Sequence, residues 1–233
     1  MCDVIEFIGA MDDGGAQTLV KDYAYLLNKK GYECAIVTVF NTPNAANTKL
    51  AVSNNTRIIP IFEKHTLVTR VFKKLCGWFY IPYKLNKIIA TEQPDCLHVH
   101  LAYLRFLKPI AQNLKGIKLL YTCHSLPKRL FDGENKIEYE CARFLIKNNN
   151  LQLIGLHDQM VDELNEMFGV KNSVVIHNGI DFERYDPRDT TISCLPYAFS
   201  PEDYEMEGKY LCRDYLINTV QNVEKIPNIK KYG

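Results

Sequence analysis

The chain has 233 residues, of which 47% are hydrophobic and 24% are charged, with a formal net charge of +1 at pH 7. A chain of this length buries a substantial core, and this balance of residue types is typical of globular rather than disordered proteins. Nothing in this near-neutral net charge suggests a nucleic-acid partner, and we expect none.

The sequence shows no export or membrane-spanning signal. Its N-terminus has no basic and then apolar segment, and no run approaches the roughly 18 apolar residues that span a bilayer. Eight cysteines are scattered without a CxxC pair, which favours buried free thiols in a reducing compartment. We therefore predict a cytoplasmic protein.

Short apolar segments recur along the chain and predict strands. The first segment carries Glu6 as its only charge, as expected of a strand that is covered on both faces. Pro60 predicts an edge position for the third strand, because proline cannot donate to a central ladder. Residues 41–55 are rich in Asn and Thr and predict a loop. The predicted strands cover residues 4–9, 34–40, 57–61, 95–100, 117–123, 151–156 and 173–177.

Helical periodicity fills most of the gaps between these strands. A helix that begins near Ala16 has one apolar stripe and ends before Gly31. Further helical patterns run over residues 137–145 and 160–168. Strands that alternate with helices predict an α/β fold with a doubly wound, mostly parallel sheet, and such sheets bind ligands at the carboxyl ends of their strands.

Gly14 and Gly15 join the first strand to the first helix. Without a Cβ the backbone turns sharply there, and the helix N-terminus offers unpaired N–H groups to an anion such as phosphate. A plain tight connection explains the same two glycines equally well. The turn lacks GxGxxG, and residues 39–41 end the second strand without a carboxylate, so we expect no nicotinamide dinucleotide and predict no cofactor.

Five of the six histidines end or follow predicted strands. They are His98, His100, His124, His157 and His177. His98 and His100 point to the same side of a regular strand, which would suit metal ligands. No third ligand is spaced nearby, so we favour one core histidine and one at the strand tip, and we predict no metal. His124 precedes a turn that cannot bury it, and we predict that it faces a ligand.

Four segments occur in an order that is found in a known family. They are Gly14-Gly15-Ala16-Gln17, residues 95–100, residues 122–124 and residues 175–181. Together they resemble the N-terminal half of GT-B glycosyltransferases of family 4, over about residues 3–187. One departure is His157, since the family often has Ser or Thr at the tip of the sixth strand.

The resemblance implies a Rossmann-like, acceptor-binding domain of an enzyme of glycan or glycolipid synthesis. Such an enzyme transfers a sugar, with retention, from a nucleotide-sugar donor to a sugar or lipid-linked acceptor. The resemblance implies that the backbone at Gly14 and Gly15 approaches the donor phosphates and that His124 lies beside the transferred sugar as a catalytic residue. It also implies donor or substrate contacts from Gln17, His100 and Asn178.

The same resemblance predicts a Rossmann-like domain over residues 1–187. A helix start at Ser200-Pro201 and the apolar stripe that follows predict a helical tail over residues 188–233. The tail is too short for a second domain of this kind, so it would pack on the first domain or meet a partner chain. The Glu-x7-Glu motif of a donor domain does not occur in the sequence. We therefore expect the isolated chain to need a donor-domain partner, the alternative being a non-catalytic saccharide- or nucleotide-binding module.

Residues 64–90 combine basic and aromatic side chains and contain no acid. This combination suits an anionic membrane surface and would place the protein peripherally at the inner face of the membrane. The other interpretation is a helix whose apolar side chains face the sheet while its lysines are solvated. The apolar side chains in question are Leu67, Val68, Val71, Phe72 and Leu75.

Overall fold

Seven strands in the described residues form one parallel sheet. The computed structural model describes residues 1–64, 66–131 and 136–177. The strands are β1 (Val4–Ile8), β2 (Cys34–Phe40), β3 (Arg57–Phe62), β4 (Cys96–His100), β5 (Lys118–Thr122), β6 (Gln152–Gly155) and β7 (Val174–Val175). Their order is β3-β2-β1-β4-β5-β6-β7, with every neighbouring pair parallel. The predicted doubly wound sheet is confirmed, and its order reverses between β1 and β4.

Helices connect most of the strands. The α-helices are α1 (Gly15–Lys29), α2 (Ala46–Ser53), α3 (Leu67–Glu92), α4 (Pro127–Phe131), α5 (Lys136–Asn149) and α6 (Asp158–Phe168). Between β4 and β5 the chain instead forms two 3₁₀ helices, Leu104–Phe106 and Lys108–Leu114. Among the described residues, no helix is both long and apolar enough to cross a membrane.

The prediction of a loop over residues 41–55 is wrong, because α2 lies inside it. Asn and Thr are poor helix formers, so local propensity gave no helical signal. Contacts from outside the segment supply the stability: the Asp13 carboxylate accepts the Ala46 N–H at 2.8 Å, and Ala51 is completely buried. Tertiary packing therefore overrides propensity at α2.

The centre of the sheet is covered on both faces. Every residue of β1, β2 and β4 is buried, and this burial explains why their sequences are almost entirely apolar. The polar exceptions include His98 and His100 in β4 and Glu6, whose charged side chain is 1% exposed in the middle of β1. A buried carboxylate is costly unless it is paired, so Glu6 requires partners on the neighbouring strands.

At one edge of the sheet, β3 pairs with β2 alone among the described strands. The edge position predicted from Pro60 is therefore confirmed. Residues 178–233 lie outside the described residues, and with them Asn178, the domain boundary predicted at residue 187 and the helical tail predicted over residues 188–233.

Candidate functional site

The turn after β1 leaves the N-terminus of α1 uncovered. Gly14 is the N-cap residue in extended conformation, and no side chain of the described residues caps the helix. A Cβ placed on Gly15 would meet no atom within 4 Å, so open space faces this end of the helix. Since the first N–H groups of a helix have no partner inside it, α1 presents free donors to an anion here.

Gln17 folds back over this turn. Its side-chain oxygen would lie 2.5 Å from a Cβ on Gly14, so a larger residue there would displace the Gln17 side chain. The turn is also tied to α2, because the Asn47 side-chain amide donates to the Asp12 carbonyl at 2.8 Å. The three predicted residues Gly14, Gly15 and Gln17 thus lie together at the turn that follows the carboxyl end of β1.

A hydrogen-bonded cluster of one carboxylate and three imidazoles crosses β1, β4 and the end of β5. Glu6 Oε2 lies 2.6 Å from His100 Nε2 and 3.0 Å from His98 Nδ1. His98 Nε2 lies 2.7 Å from the Thr122 hydroxyl, and His100 Nδ1 lies 2.8 Å from His124 Nε2. We call Glu6, His98, His100 and His124 the histidine cluster. Parallel pairing of Glu6 with His98 brings these groups together.

The electrostatics of the histidine cluster follow from its burial. Burial alone would raise the pKa of Glu6, but the attraction of His98 and the hydrogen bonds from His100 and His98 outweigh it and lower that pKa to about 2. Burial, together with neighbouring histidines, lowers the pKa of His100 to about 4 and that of His124 to about 3. At neutral pH the cluster therefore holds an ionised carboxylate, while His100 and His124 are neutral.

The composition of this cluster raises the question of a metal. Glu6, His98 and His100 offer ligand atoms within 4.8 Å of one another, and two imidazoles with a carboxylate are a common zinc set. The 2.6 Å between Glu6 Oε2 and His100 Nε2 is a hydrogen-bond distance, however, and ligands held at about 2.0–2.1 Å on a tetrahedral zinc lie further apart. The geometry fits a proton between these atoms better than a metal, and the absence of a metal stays a prediction.

His124 follows β5 at the carboxyl edge of the sheet and is half-buried. The ligand-facing role of His124 stays a prediction. His100 was predicted to contact a donor or substrate. In the structure it is 0% exposed and contacts Glu6 and His124, so its side chain does not reach a ligand directly. Sequence reasoning missed Glu6, although a lone charge in an apolar strand was the signal that it needed a partner.

His157 caps α6. Its ring Nδ1 accepts the Met160 backbone N–H at 3.2 Å. Ser and Thr commonly do this with a side-chain oxygen at an N-cap, so the imidazole replaces the hydroxyl that the family often has here. The departure at the sixth strand therefore has a structural explanation.

The N-terminal two-thirds of α3 exposes a continuous apolar surface. Eight side chains of this surface, which we call the α3 face, are between 40% and 76% exposed. They are Leu67, Val68, Val71, Phe72, Leu75, Trp78, Phe79 and Tyr83. The interpretation in which these side chains face the sheet is therefore wrong for Leu67, Val68, Val71 and Leu75, whereas the Phe72 ring lies 6.1 Å from the Phe62 ring of β3. Lys74 is exposed beside them, whereas Lys73 is half-buried, with Nζ 5.0 Å from the Phe40 ring centroid.

Comparison with known proteins finds one matching family model, glycosyltransferase family 4, over residues 13–184. A glycosyltransferase from Rickettsia africae ESF-5 is similar in structure, with a TM-score of 0.56 and 15% identity over 92% of this chain and 49% of that one. Anabaena Alr3699/HepE, crystallised with UDP and glucose, gives 0.56 and 14% over 94% of this chain and 51% of that one. No curated protein sequence matches. The chain spans about half the length of these solved structures.

Proposed function

Because this chain belongs to glycosyltransferase family 4, we propose that it is the acceptor-side half of an enzyme that transfers a sugar from a nucleotide-sugar donor to a hydroxyl of a glycan or glycolipid. Its fold is that of the N-terminal Rossmann-like half of a GT-B glycosyltransferase, as the sequence predicted. Donor, acceptor and retention at the anomeric carbon are parts of the proposal that rest on the family.

The observation that carries the proposal is the pairing of two features at one edge of the sheet. The uncovered N-terminus of α1 follows β1, and the half-buried imidazole of His124 follows β5. Because all strands are parallel, both features lie at the carboxyl edge, where doubly wound sheets bind ligands. One feature suits an anion, and the other suits a polar, uncharged group.

A nucleotide sugar contains both kinds of group. Its diphosphate gains negative charge as the sugar leaves, and the N–H groups of Gly15 and the next residues can stabilise that charge. Its sugar carries hydroxyls that a neutral His124 can bind. The similar Anabaena protein was crystallised with UDP and glucose, which supports a nucleotide sugar as the donor.

We further propose that the α3 face lies on an anionic membrane surface and that the acceptor is lipid-linked. Apolar and aromatic side chains are exposed there next to basic ones, and residues 64–90 contain no acid. Aromatic rings favour the headgroup region, and each Lys or Arg near an anionic surface adds about 1 kcal/mol. Unlike water, a membrane offers an apolar environment in which the side chains of Trp78 and Phe79 can be buried.

The test is a transfer assay with the 233-residue chain, a panel of nucleotide sugars and a membrane extract, with and without a family 4 donor domain in trans. An open half-site binds weakly, because a hydrogen bond to water-exposed N–H groups contributes only about 0.5–1.5 kcal/mol. We expect product only when the donor domain is present. Robust product from this chain alone would refute the proposal that it supplies only the acceptor-side half. Saccharide binding without transfer, both with and without the donor domain, would favour the non-catalytic module.

A further inference from the structure

We propose that Glu6 and His100 are positioning residues that fix the ring of His124 with its proton on Nε2, leaving Nδ1 as a hydrogen-bond acceptor for a hydroxyl of the sugar. The identity of the hydroxyl rests on the proposed function, whereas the state of the ring does not. The geometry that supports this relay is the unbroken line of contacts from Glu6 through His100 to His124.

The relay begins at Glu6. An ionised carboxylate has no proton and only accepts hydrogen bonds. Its Oε2 faces His100 Nε2 at 2.6 Å. That nitrogen therefore carries a proton and donates a hydrogen bond to the carboxylate. Glu6 and His100 are 1% and 0% exposed, so water does not compete for this bond.

The state of His100 then determines that of His124. A neutral imidazole carries one proton, and in His100 that proton is on Nε2. The other nitrogen, Nδ1, is therefore an acceptor, and the atom that faces it at 2.8 Å is His124 Nε2. Two unprotonated nitrogens at this distance would repel each other, so His124 Nε2 must be the donor.

His124 ends the relay with Nδ1 as its acceptor nitrogen. Burial lowers the pKa of His124 to about 3, so the ring is neutral and its single proton is already held by the bond to His100. Within the described part of the chain, Nδ1 of His124 has no hydrogen-bond partner. A fixed acceptor at the carboxyl edge of the sheet orients a sugar hydroxyl without ordering the side chain at the moment of binding.

The test is ¹⁵N NMR of the histidine rings in the full 233-residue chain at pH 7. We expect a protonated Nε2 and an unprotonated Nδ1 for both His100 and His124, with the His124 ring proton protected from exchange with solvent. In Glu6→Gln, the neutral amide can present either its oxygen or its NH₂ group to His100. We expect the ring proton of His124 to exchange at least about ten times faster in this variant, because exposing the ring to solvent no longer breaks a charge-assisted hydrogen bond.

Thr122→Val is the matched control. It removes the hydroxyl bonded to His98 and leaves the contacts from Glu6 to His124 in place, so the His124 signals should not change. A proton on Nδ1 of His124 in the wild-type chain, or exchange that Glu6→Gln does not alter, would overturn the relay. The wild-type spectrum decides even if Glu6→Gln does not fold. The spectrum needs no sugar, so an intact relay without transfer in the assay above would refute the proposed function instead.

Discussion

Acidification should destabilise this fold well above the pH at which ordinary carboxylates titrate. His100 has a folded pKa of about 4, against about 6.5 in an unfolded chain. Below pH 6.5 the unfolded state binds a proton that the folded state does not, so the free energy of unfolding falls as pH falls towards 4. Between pH 7 and pH 4.5 this difference amounts to about 2 kcal/mol for His100 alone. His124, with a folded pKa of about 3, adds a loss of the same sign.

Urea unfolding followed by circular dichroism at pH 7, 6, 5 and 4.5 measures this slope. His124→Gln should flatten it, because one of the two neutral imidazoles is gone. Lys147→Ala, an exposed change on α5 remote from the histidine cluster, should leave it unaltered. A free energy of unfolding that stays constant down to pH 4.5 would show that the buried histidines are not neutral in the folded state. An equal slope in His124→Gln would show this for His124 alone.

Three further variants test the site and the α3 face. With a donor domain present, His124→Ala should reduce transfer by a factor on the order of 100. It should cost only about 1 kcal/mol of stability, since His100 loses one hydrogen bond. An unfolded variant would instead show that His124 is a structural residue. Gly15→Ala should leave the free energy of unfolding unchanged or raise it by up to about 1 kcal/mol. It should weaken donor binding about 10-fold, because the added methyl group crowds the helix N-terminus. Unchanged binding would show that this turn does not contact the donor. The double variant Lys74→Glu with Trp78→Ser should lower co-sedimentation with anionic vesicles, whereas the control Lys147→Glu should not. An equal loss in both variants would show that net charge alone determines vesicle binding.

The sheet could be predicted because its strands are buried on both faces. Such strands are continuous apolar runs, and the predicted second strand, residues 34–40, has the bounds of β2. α2 could not be predicted, because its stability comes from Asp13 and from buried contacts that no local pattern contains. The prediction that the apolar side chains of residues 67–75 face the sheet was wrong for most of them. The spacing of apolar residues along a helix does not show which surface covers them.

The candidate site was predicted in part. Gly14, Gly15 and Gln17 come together in one turn, as short-range sequence reasoning allows. The link between Glu6 and the histidines joins residues far apart in the chain, and it follows only from the strand order that places β1 beside β4. A search for ligand spacing within one strand could not reach across that pairing.

The histidine cluster has a consequence for how the central strands align. Apolar strands that are buried on both faces tolerate a shift of one residue more easily than strands with one polar face, because every alternative still buries apolar groups. A shift of β4 against β1 would take His98 and His100 away from Glu6 and strand a carboxylate in the core, at a cost of several kcal/mol. The only charge in β1 thus selects one alignment of the sheet during folding, before any ligand is present.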